Sequence, residues 1–322
     1  MTRSEPRPAR TVLLGAAFRP HVVDRLRSSF RVIGPGEILD PGSLPEGASG
    51  ARALVTLGMH RTSAELIDAL PGLGLIACFG TGYEGVDLLA ARRRGIAMTY
   101  APGATAASVA DMALGLLLAS VRMVLTGDRM VREGAWVRHP TDGLPLSRGL
   151  TGRRLGIFGL GEVGRRVALR AKAFEMEVGY HGRQRREDLA YAYHDSLTGL
   201  AAWADALVIA VRATPATRHA VNAEVLAALG PSGYLVNVAR GSVVDEVALL
   251  HALENGLVAG AALDVHAMEP RQPDALTNRS DVILTPHIAG ATEAAQAAAL
   301  DLVVANLDAF IDGRPLLTPI PE

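Results

Sequence analysis

The chain has 322 residues, of which 49% are hydrophobic and 20% are charged, and its formal net charge at neutral pH is −1. This length allows two domains with separate cores, and the composition excludes an intrinsically disordered chain. Nucleic acid and anionic membrane surfaces attract basic proteins, so a net charge near zero gives no electrostatic reason to expect either as a partner.

Cysteine usage and the start of the chain indicate a cytoplasmic protein. Cys78 is the only cysteine, which excludes an intramolecular disulfide and a cysteine-based metal cluster, and we expect no metal site. The polar segment 1–10 lacks the apolar core of a signal peptide. No apolar run approaches the roughly 20 residues that span a bilayer.

The first third of the chain alternates short apolar runs with amphipathic segments. The runs predict strands at 11–15, 53–56, 75–78 and 96–99. The segments between them predict helices at 21–30, at 63–70 with Ser63 as the N-cap, and near 86–93. Alternation of this kind is typical of a parallel sheet covered by helices on both faces, so we expect an α/β unit.

A second alternating series follows a break at Pro102 and Gly103. A long helix is predicted from 106 to about 125, followed by a region of turn-forming residues at 134–152. Further strands are predicted at 155–158, 177–180, 206–211, 234–238, 259–265 and 282–285. A last helix is predicted from about 292 to 311, before Gly313. The expected fold class is α/β with two doubly wound parallel sheets.

A glycine-rich turn follows the predicted strand at 155–158. Gly159, Gly161 and Gly164 have the G-x-G-x-x-G spacing and open a segment of helical periodicity. In a dinucleotide-binding turn these glycines permit the tight turn, the approach of the pyrophosphate and the close packing of helix on strand. The intervening Leu160, Glu162 and Val163 complete the helix start that faces the phosphates. A purely structural turn is the alternative, but the strand before and the helix after it favour dinucleotide binding.

The end of the next predicted strand bears on the choice of cofactor. An NAD-binding unit has an acidic residue about 20 positions beyond the first glycine, where it bonds the ribose hydroxyls. Here the strand runs instead into a segment without a carboxylate, formed by His181, Gly182, Arg183, Gln184, Arg185 and Arg186. Arginines at this place bind a 2′-phosphate, so the segment favours NADP(H) over NAD(H). A solvated turn in an arginine-rich chain is the alternative.

Polar residues follow three of the later predicted strands. Arg240, Asp264 and His287 each stand just beyond a strand, and Glu269 comes five residues after Asp264. Ligands of open α/β sheets bind at the carboxyl ends of the strands, so these residues outrank other polar residues. Hydride transfer to a carbonyl needs a proton donor, a carboxylate that orients it and a cation that holds an acidic substrate. His287, Glu269 and Arg240 provide one of each.

Each of these three residues also has a plain structural alternative. His287 alone is equally consistent with a core or capping histidine, Arg240 with a surface ion pair, and Glu269 with an exposed turn residue. Their joint placement after successive strands favours the catalytic interpretation. Among the other histidines, His60 and His139 lie in predicted loops and are minor candidates for contact with a substrate.

Several blocks along the chain resemble one enzyme family. They are 80–87 (GTGYEGVD), 108–111 (SVAD), the glycine turn, 237–241 (NVARG), 263–265 (LDV), 269–270 (EP) and 286–292 (PHIAGAT). With these blocks in this order, the chain resembles the D-isomer-specific 2-hydroxyacid dehydrogenases, and most of all their glyoxylate/hydroxypyruvate reductase branch. The segment 182–184 resembles the NADP-preferring reductases of that branch.

The resemblance implies roles for individual residues. His287 would be the proton donor, Glu269 its partner and Arg240 the anchor of the substrate, while Asp264 would lie near the nicotinamide amide. The backbone of four further residues would bind the substrate carboxylate alongside Arg240 and His287: Leu57, Gly58, Thr81 and Gly82. The cofactor site would also include Val211, Arg212, Thr217, Val238, Ala239 and Gly290.

The resemblance also implies a domain arrangement and an oligomer. Residues 1–102 and 288–322 would form the substrate domain, and 103–287 an inserted NAD(P)-binding Rossmann domain. A homodimer through the second domain is usual, and Trp136 either reaches the partner's active site or is simply a packed aromatic. The chain departs from the family at three positions: Asp111 replaces a more common glutamate, His266 a frequent aromatic residue and Arg212 a common proline.

The expected activity is reduction of small 2-oxo acids, such as glyoxylate, hydroxypyruvate or an arylpyruvate, to D-2-hydroxy acids. NADP(H) is the preferred cofactor and NAD(H) a possible one. One alternative is a dinucleotide-sensing binding protein, because some relatives act as transcriptional corepressors. Another is NAD-dependent oxidation of formate or phosphite, which the arginines after Tyr180 disfavour.

Overall fold

The computed structural model describes residues 10–34, 39–137, 144–271 and 274–321. Its strands are β1 Thr11–Leu14, β2 Arg31–Ile33, β3 Ala53–Thr56, β4 Leu75–Cys78, β5 Ala97–Thr99, β6 Arg154–Phe158, β7 Glu177–His181, β8 Ala192–Tyr193, β9 Ala206–Ile209, β10 Tyr234–Asn237, β11 Gly260–Leu263 and β12 Val282–Leu284. Its helices are α1 Pro20–Arg27, α2 Ala64–Asp68, α3 Leu88–Arg93, α4 Ala106–Val121, α5 Val124–Arg132, α6 Glu162–Ala173, α7 Leu197–Trp203, α8 Ala223–Leu229, α9 Glu246–Glu254, α10 Asp274–Thr277 and α11 Glu293–Ile311.

The chain divides into two compact units. The first comprises Met1–Thr105 and Thr292–Glu322, and the second comprises Ala106–Ala291. The breaks therefore fall at 105/106 and 291/292, where the predicted domain limits were 102 and 287. Both breaks coincide with helix starts: α4 begins at Ala106, and Thr292 caps α11 by accepting a hydrogen bond from the Ala295 amide.

The first unit contains a parallel sheet of five strands in the order β2-β1-β3-β4-β5. Strands β1, β3 and β4 are buried along their whole length, as expected for a parallel sheet covered on both faces. Alternate side chains point to two separate clusters. Leu54 and Ile76 pack with α2 and α3 on one face, and Val55 packs with α1 and α11 on the other.

The second unit contains a parallel sheet of seven strands in the order β12-β11-β10-β9-β6-β7-β8. One face packs against α4 and α6, and the opposite face against α7, α8 and α9. The chain leaves β6 toward β7 on one side and returns to β9 on the other, so the strand order reverses at β6. Such a reversal is where open α/β sheets bind ligands. The α/β prediction with two doubly wound sheets is confirmed.

Two local predictions were incomplete or wrong. Strands β2 and β8 were not predicted, because the first is mostly exposed or half-buried and the second has only two residues. The single helix predicted from 106 to about 125 is two helices that meet at 62°, with Met123 in the left-handed region at φ +51°. No glycine or proline marks this break, so the sequence pattern contains no signal for it.

The composition of α11 bears on one sequence expectation. By length and mean hydropathy this helix, Glu293–Ile311, is long and apolar enough to cross a membrane, although polar residues interrupt its apolar sequence. The bent pair α4 and α5 qualifies only if it is counted as one span. A core helix satisfies the same test, and Leu300, Val303 and Leu307 are buried in the core of the first unit.

Candidate active site

The glycine turn leads from the end of β6 into α6, and its three glycines lie in different surroundings. Gly159 has φ +96°, and a side-chain carbon there would lie 2.6 Å from the Val211 Cα atom. A side chain at Gly164 would overlap the carbonyl oxygen of Gly159. At Gly161, by contrast, an added carbon would meet nothing within 4 Å. Protein atoms therefore pack closely against Gly159 and Gly164, whereas the space next to Gly161 at the helix start is free of protein atoms.

This open helix start fits the pyrophosphate of a dinucleotide. Gly161 is the N-cap of α6, and its lack of a side chain leaves the first amides of the helix without a side-chain cap. Amides in this position, with the positive end of the helix dipole, bind phosphate oxygens. The turn also lies at the strand where the sheet order reverses. The described residues therefore suit an NAD(P) cofactor.

The residues predicted to select the cofactor follow β7, and they differ in their hydrogen bonds and ion pairs. The His181 imidazole donates from Nδ1 to the carbonyl of His194 at 2.8 Å and stacks on the Phe158 ring. The Arg186 guanidinium pairs with the Asp188 carboxylate at 3.1 Å, and its backbone amide donates to the Tyr180 hydroxyl at 2.6 Å. Arg186 therefore has a structural function in this turn.

The other two arginines of this segment are more exposed. The Arg185 guanidinium lies 3.3 Å from the Glu187 carboxylate, with both side chains largely in solvent. Arg183 makes no hydrogen bond or ion pair within the part of the chain that the structure describes. Gln184 is exposed as well. Arg183 is thus the arginine whose guanidinium is available to a ligand.

The predicted proton donor and its partner are in direct contact. The His287 Nδ1 atom lies 2.7 Å from the Glu269 Oε2 atom. Since a carboxylate accepts, Nδ1 carries the hydrogen and the Nε2 atom is left for another partner. His287 itself has φ +54°, a left-handed conformation that non-glycine residues adopt only when their surroundings hold them. The surrounding structure therefore holds His287 in the conformation in which it contacts Glu269.

The environment of Glu269 favours its charged form. Burial by itself would raise the pKa of this carboxyl. Hydrogen bonds from the His287 ring and from the His266 amide at 2.8 Å, together with the charge of the His287 imidazole, outweigh burial and lower the pKa below its usual value. A carboxylate that stays ionised orients the imidazole and stabilises its protonated form.

Asp264 holds the backbone turn that carries His287. The residue is 1% exposed, and one carboxylate oxygen accepts from the Thr285 hydroxyl at 2.6 Å and the Ile288 amide at 2.9 Å. The other oxygen accepts from the Ala289 amide at 2.9 Å. The Asp264 carbonyl accepts from the His287 amide at 2.8 Å. These bonds make Asp264 the main support of the turn.

Arg240 follows β10, the strand next to β11. The Asn237 side chain donates to the Arg240 carbonyl at 2.9 Å and accepts from the Ala239 amide at 3.1 Å, which closes the turn after the strand. A side chain at Gly241 would overlap the backbone of His266, so the turns after β10 and β11 touch through their backbones. Because β10, β11 and β12 are parallel neighbours, their ends bring Arg240, Glu269 and His287 to one edge of the sheet.

The remaining cofactor-site predictions also lie in turns at this edge. Val211 and Arg212 follow β9, and the Arg212 carbonyl accepts from the Thr217 hydroxyl at 2.9 Å, which closes their loop. Val238 and Ala239 follow β10 and are largely buried. Gly290 follows the His287 turn.

The predicted substrate-binding backbone lies in the first unit, in the turns after β3 and β4. A side chain at Gly58 would overlap the carbonyl of Gly82, and the Gly85 amide donates to the Gly58 carbonyl at 2.8 Å. Glycine is therefore required for the contact between these turns, which place Leu57, Gly58, Thr81 and Gly82 together. Nearby, burial lowers the pKa of His60. His139 lies outside the described residues.

Sequence reasoning missed several residues that organise the site. Thr285 and Asn237 received no role, although both are polar residues at strand ends, which is the signal that selected Asp264. His266 was noted only as a departure from the family. Asp111 has a simple structural role, since it pairs with Arg170 and joins α4 to α6. Trp136 is 50% exposed, which does not favour a packed aromatic.

Fold and site together define a class of protein: an NAD(P)-dependent oxidoreductase with a histidine-carboxylate pair at the carboxyl edge of a Rossmann-like sheet. The family profile described as "D-isomer specific 2-hydroxyacid dehydrogenase, NAD binding domain" matches residues 114–289. The chain belongs to the D-isomer-specific 2-hydroxyacid dehydrogenase family. It is an NAD(P)H-dependent reductase of 2-oxo acids.

Relatives support this assignment along most of the chain. A hydroxyphenylpyruvate reductase of Plectranthus scutellarioides is 41% identical over 85% of this chain and 86% of its own length. A 2-ketogluconate reductase of Gluconobacter oxydans is 38% identical over 94% and 95%. The crystal structure of an NADPH-dependent glyoxylate/hydroxypyruvate reductase of Sinorhizobium meliloti, in complex with NADP and malonate, has a TM-score of 0.90, 41% identity and coverage of 98% and 97%.

Proposed function

We propose that this enzyme reduces small 2-oxo acids, such as glyoxylate, hydroxypyruvate or an arylpyruvate, to D-2-hydroxy acids and prefers NADPH to NADH. The observation that carries the proposal is the 2.7 Å contact between His287 Nδ1 and Glu269 Oε2 at the carboxyl edge of the second sheet. The contact leaves His287 Nε2 to serve as proton donor, which is the group that carbonyl reduction requires from the protein.

Three side chains take part in the reaction in this proposal, two on the substrate and one through the imidazole. When bound at the glycine turn, a reduced dinucleotide would supply the hydride that the carbonyl carbon accepts. His287, protonated before the step, gives its Nε2 proton to the carbonyl oxygen and is neutral afterwards. Glu269 stabilises the protonated imidazole, and Arg240 holds the substrate carboxylate by paired hydrogen bonds and polarises the carbonyl. Hydride and proton together complete the hydroxy acid.

Cofactor preference is assigned to the segment after β7. The glycine turn would hold the pyrophosphate, and Arg183 would bind the 2′-phosphate, since its guanidinium has no partner among the described residues whereas Arg186 is paired with Asp188. The Sinorhizobium meliloti reductase, similar along the whole chain, is NADPH-dependent and was crystallised with NADP. Asp264 is assigned to the nicotinamide end of the site.

The two units receive the functions that the sequence assigns to them. The second is the NAD(P)-binding domain, and the first is the substrate domain, in which the turns carrying Leu57, Gly58, Thr81 and Gly82 bind the substrate carboxylate. Contacts between these turns run through backbone atoms, which suits recognition of a carboxylate by amides.

We further propose a cytoplasmic homodimer with neither nucleic acid nor membrane as a partner. The formal net charge of −1 supports the absence of polyanionic partners. Exposed apolar residues on α5 in the second unit, Val124, Leu125 and Val131, support association through this unit. Sedimentation equilibrium of the purified protein tests the dimer, and a monomer at micromolar concentration would refute it.

A panel of 2-oxo acids assayed with NADPH and with NADH tests the proposed reaction. We expect the highest kcat/KM with NADPH and a small 2-oxo acid, and a D-2-hydroxy acid by chiral chromatography. The panel should include 2-ketogluconate and hydroxyphenylpyruvate, the substrates named for two relatives. Dinucleotide binding without turnover would favour the sensing protein. Reduction of NAD+ by formate or phosphite would favour the other alternative.

A further inference from the structure

The His266 ring, in the turn after β11, contacts the segment that carries the proton donor. Its Nε2 atom lies 3.0 Å from the Thr285 carbonyl oxygen. The same oxygen accepts from the His287 amide at 3.0 Å. We propose that His266 is a positioning residue, which holds the left-handed turn at His287 through the Thr285 carbonyl and thereby sets the direction of the His287 imidazole. This inference rests on the role proposed for His287.

The backbone of His266 contacts the segments that carry Glu269 and Arg240. Its amide donates to Glu269 Oε1 at 2.8 Å, and its backbone meets Gly241 directly, next to Arg240. Any residue at position 266 supplies these backbone contacts. Among the described residues, the bond to the Thr285 carbonyl is the hydrogen bond that the His266 ring makes, so substitution of the side chain removes this bond and leaves the backbone contacts.

The hydrogen-bond chemistry determines which form of the ring is present. A carbonyl oxygen only accepts, so His266 Nε2 carries the hydrogen. The Nδ1 atom of this ring is buried and has no partner among the described residues. A proton on Nδ1 would be a buried donor without an acceptor, which is unfavourable. The geometry therefore favours the tautomer in which His266 Nε2 donates to the Thr285 carbonyl, a bond that a hydrocarbon ring cannot make.

Without the ring bond, Asp264 and the backbone bonds would still hold the turn at His287, but less rigidly. His287 lies in a conformation that its own side chain disfavours, at φ +54°, so each support of the turn matters more than it would in a relaxed segment. Loss of one bond should therefore appear in the chemical step and in local opening of residues 285–289. Cofactor affinity, which depends mainly on the turns after β6 and β7 that would hold the phosphates, should change far less than kcat.

Two substitutions separate the bond from the volume of the ring. His266→Phe keeps an aromatic ring without a donor, and His266→Gln brings an amide nitrogen to about the place of Nε2. His251→Gln, at an exposed histidine of α9, is the matched control. The measurements are kcat and KM with the fastest 2-oxo acid, the NADPH dissociation constant by fluorescence, and hydrogen exchange of the peptide spanning 282–291 by mass spectrometry.

We expect His266→Phe to lower kcat about tenfold, the effect of about one net hydrogen bond, with the NADPH dissociation constant unchanged and faster exchange in 282–291. His266→Gln should recover most of kcat and of the protection, and His251→Gln should match the wild type. Unchanged kcat and exchange in His266→Phe, no recovery with Gln, or an equal loss of NADPH affinity would each overturn the inference. A wild type without turnover would instead refute the proposed function, and the exchange data would still test the support of the turn.

Discussion

Two turns at the carboxyl edge of the second sheet are built in opposite ways. The turn after β6 consists of glycines, with open space at Gly161 and backbone packed against backbone at Gly164. The turn after β12 is held by side chains: Asp264 accepts from Thr285, Ile288 and Ala289, and Glu269 pairs with His287. A turn that receives a ligand's phosphates needs bare backbone, whereas a turn that delivers a proton needs a rigidly held side chain.

Removal of the imidazole should break the second turn's function and leave the first intact. His287→Ala should lower kcat roughly 10²- to 10⁴-fold, the usual contribution of a general acid, with NADPH binding preserved. Steady-state kinetics and fluorescence titration of NADPH measure the two quantities. A kcat within about threefold of wild type would remove His287 from the mechanism, because a general acid contributes far more than this.

Bulk added to the glycine turn should have two different consequences. Gly161→Val faces open space and should fold normally but weaken NADPH binding about 100-fold, because the side chain stands where phosphate approaches. Gly164→Ala, the matched variant, overlaps the Gly159 carbonyl and should lower the free energy of unfolding by about 2 kcal/mol or more. Binding titrations and denaturant unfolding measure these effects. Equal losses of stability in both variants would contradict this division.

Substitution of the arginines after β7 should change the preference between NADPH and NADH. Arg183→Ala should weaken NADPH about tenfold and NADH little, since only NADPH carries the 2′-phosphate. Arg186→Ala should have a smaller and less selective effect, because that guanidinium pairs with Asp188. The ratio of kcat/KM for the two cofactors is the measurement. Should Arg183→Ala reduce both cofactors equally, the guanidinium is not reading the phosphate.

The smallest expected effect concerns the support of the turn that carries His287. The pKa of Glu269 is below its usual value of 4.5, because hydrogen bonds to the carboxylate outweigh its burial. A carboxyl whose pKa is depressed by folding stabilises the protein above its unfolded-state pKa, and this contribution disappears as pH falls through the folded-state pKa. The stability lost in Glu269→Gln should therefore shrink as the pH falls below about 4.5.

Denaturant unfolding of wild type and Glu269→Gln across pH 3 to 8 gives this difference directly. His251→Gln serves again as a control without a pH-dependent difference at the acid end. A difference between Glu269→Gln and wild type that grows as the pH falls below about 4.5 would mean that the pKa of this carboxyl is not lowered in the folded protein.

Features with a local sequence signal could be predicted from the sequence. The buried strands β3, β4 and β10 were predicted within a residue of their limits, because continuous apolar runs between turn residues are local signals. The cap of α2 by Ser63 was likewise predicted and is confirmed. The glycine turn belongs to this group, since its spacing reports its geometry.

Other features have no local signal. The break between α4 and α5 at Met123 follows no glycine or proline, and the roles of Thr285 and His266 depend on partners that are distant in sequence. Asp264 was recognised as a strand-end residue, but nothing near it in the chain indicates that its carboxylate binds the amides of residues 288 and 289.

By itself, the sequence determined the α/β class, the place of the nucleotide turn, and the imidazole, carboxylate and guanidinium that could act on a carbonyl group. Those conclusions depend on periodicity, on glycine spacing and on the rule that strand ends collect functional groups, all of which are local or topological. Only the tertiary structure decided that Glu269 meets His287, that Arg186 is engaged while Arg183 is not, and that Asp264 and His266 support one turn. These facts depend on the distances between separate strand ends, which packing sets and residue order alone does not.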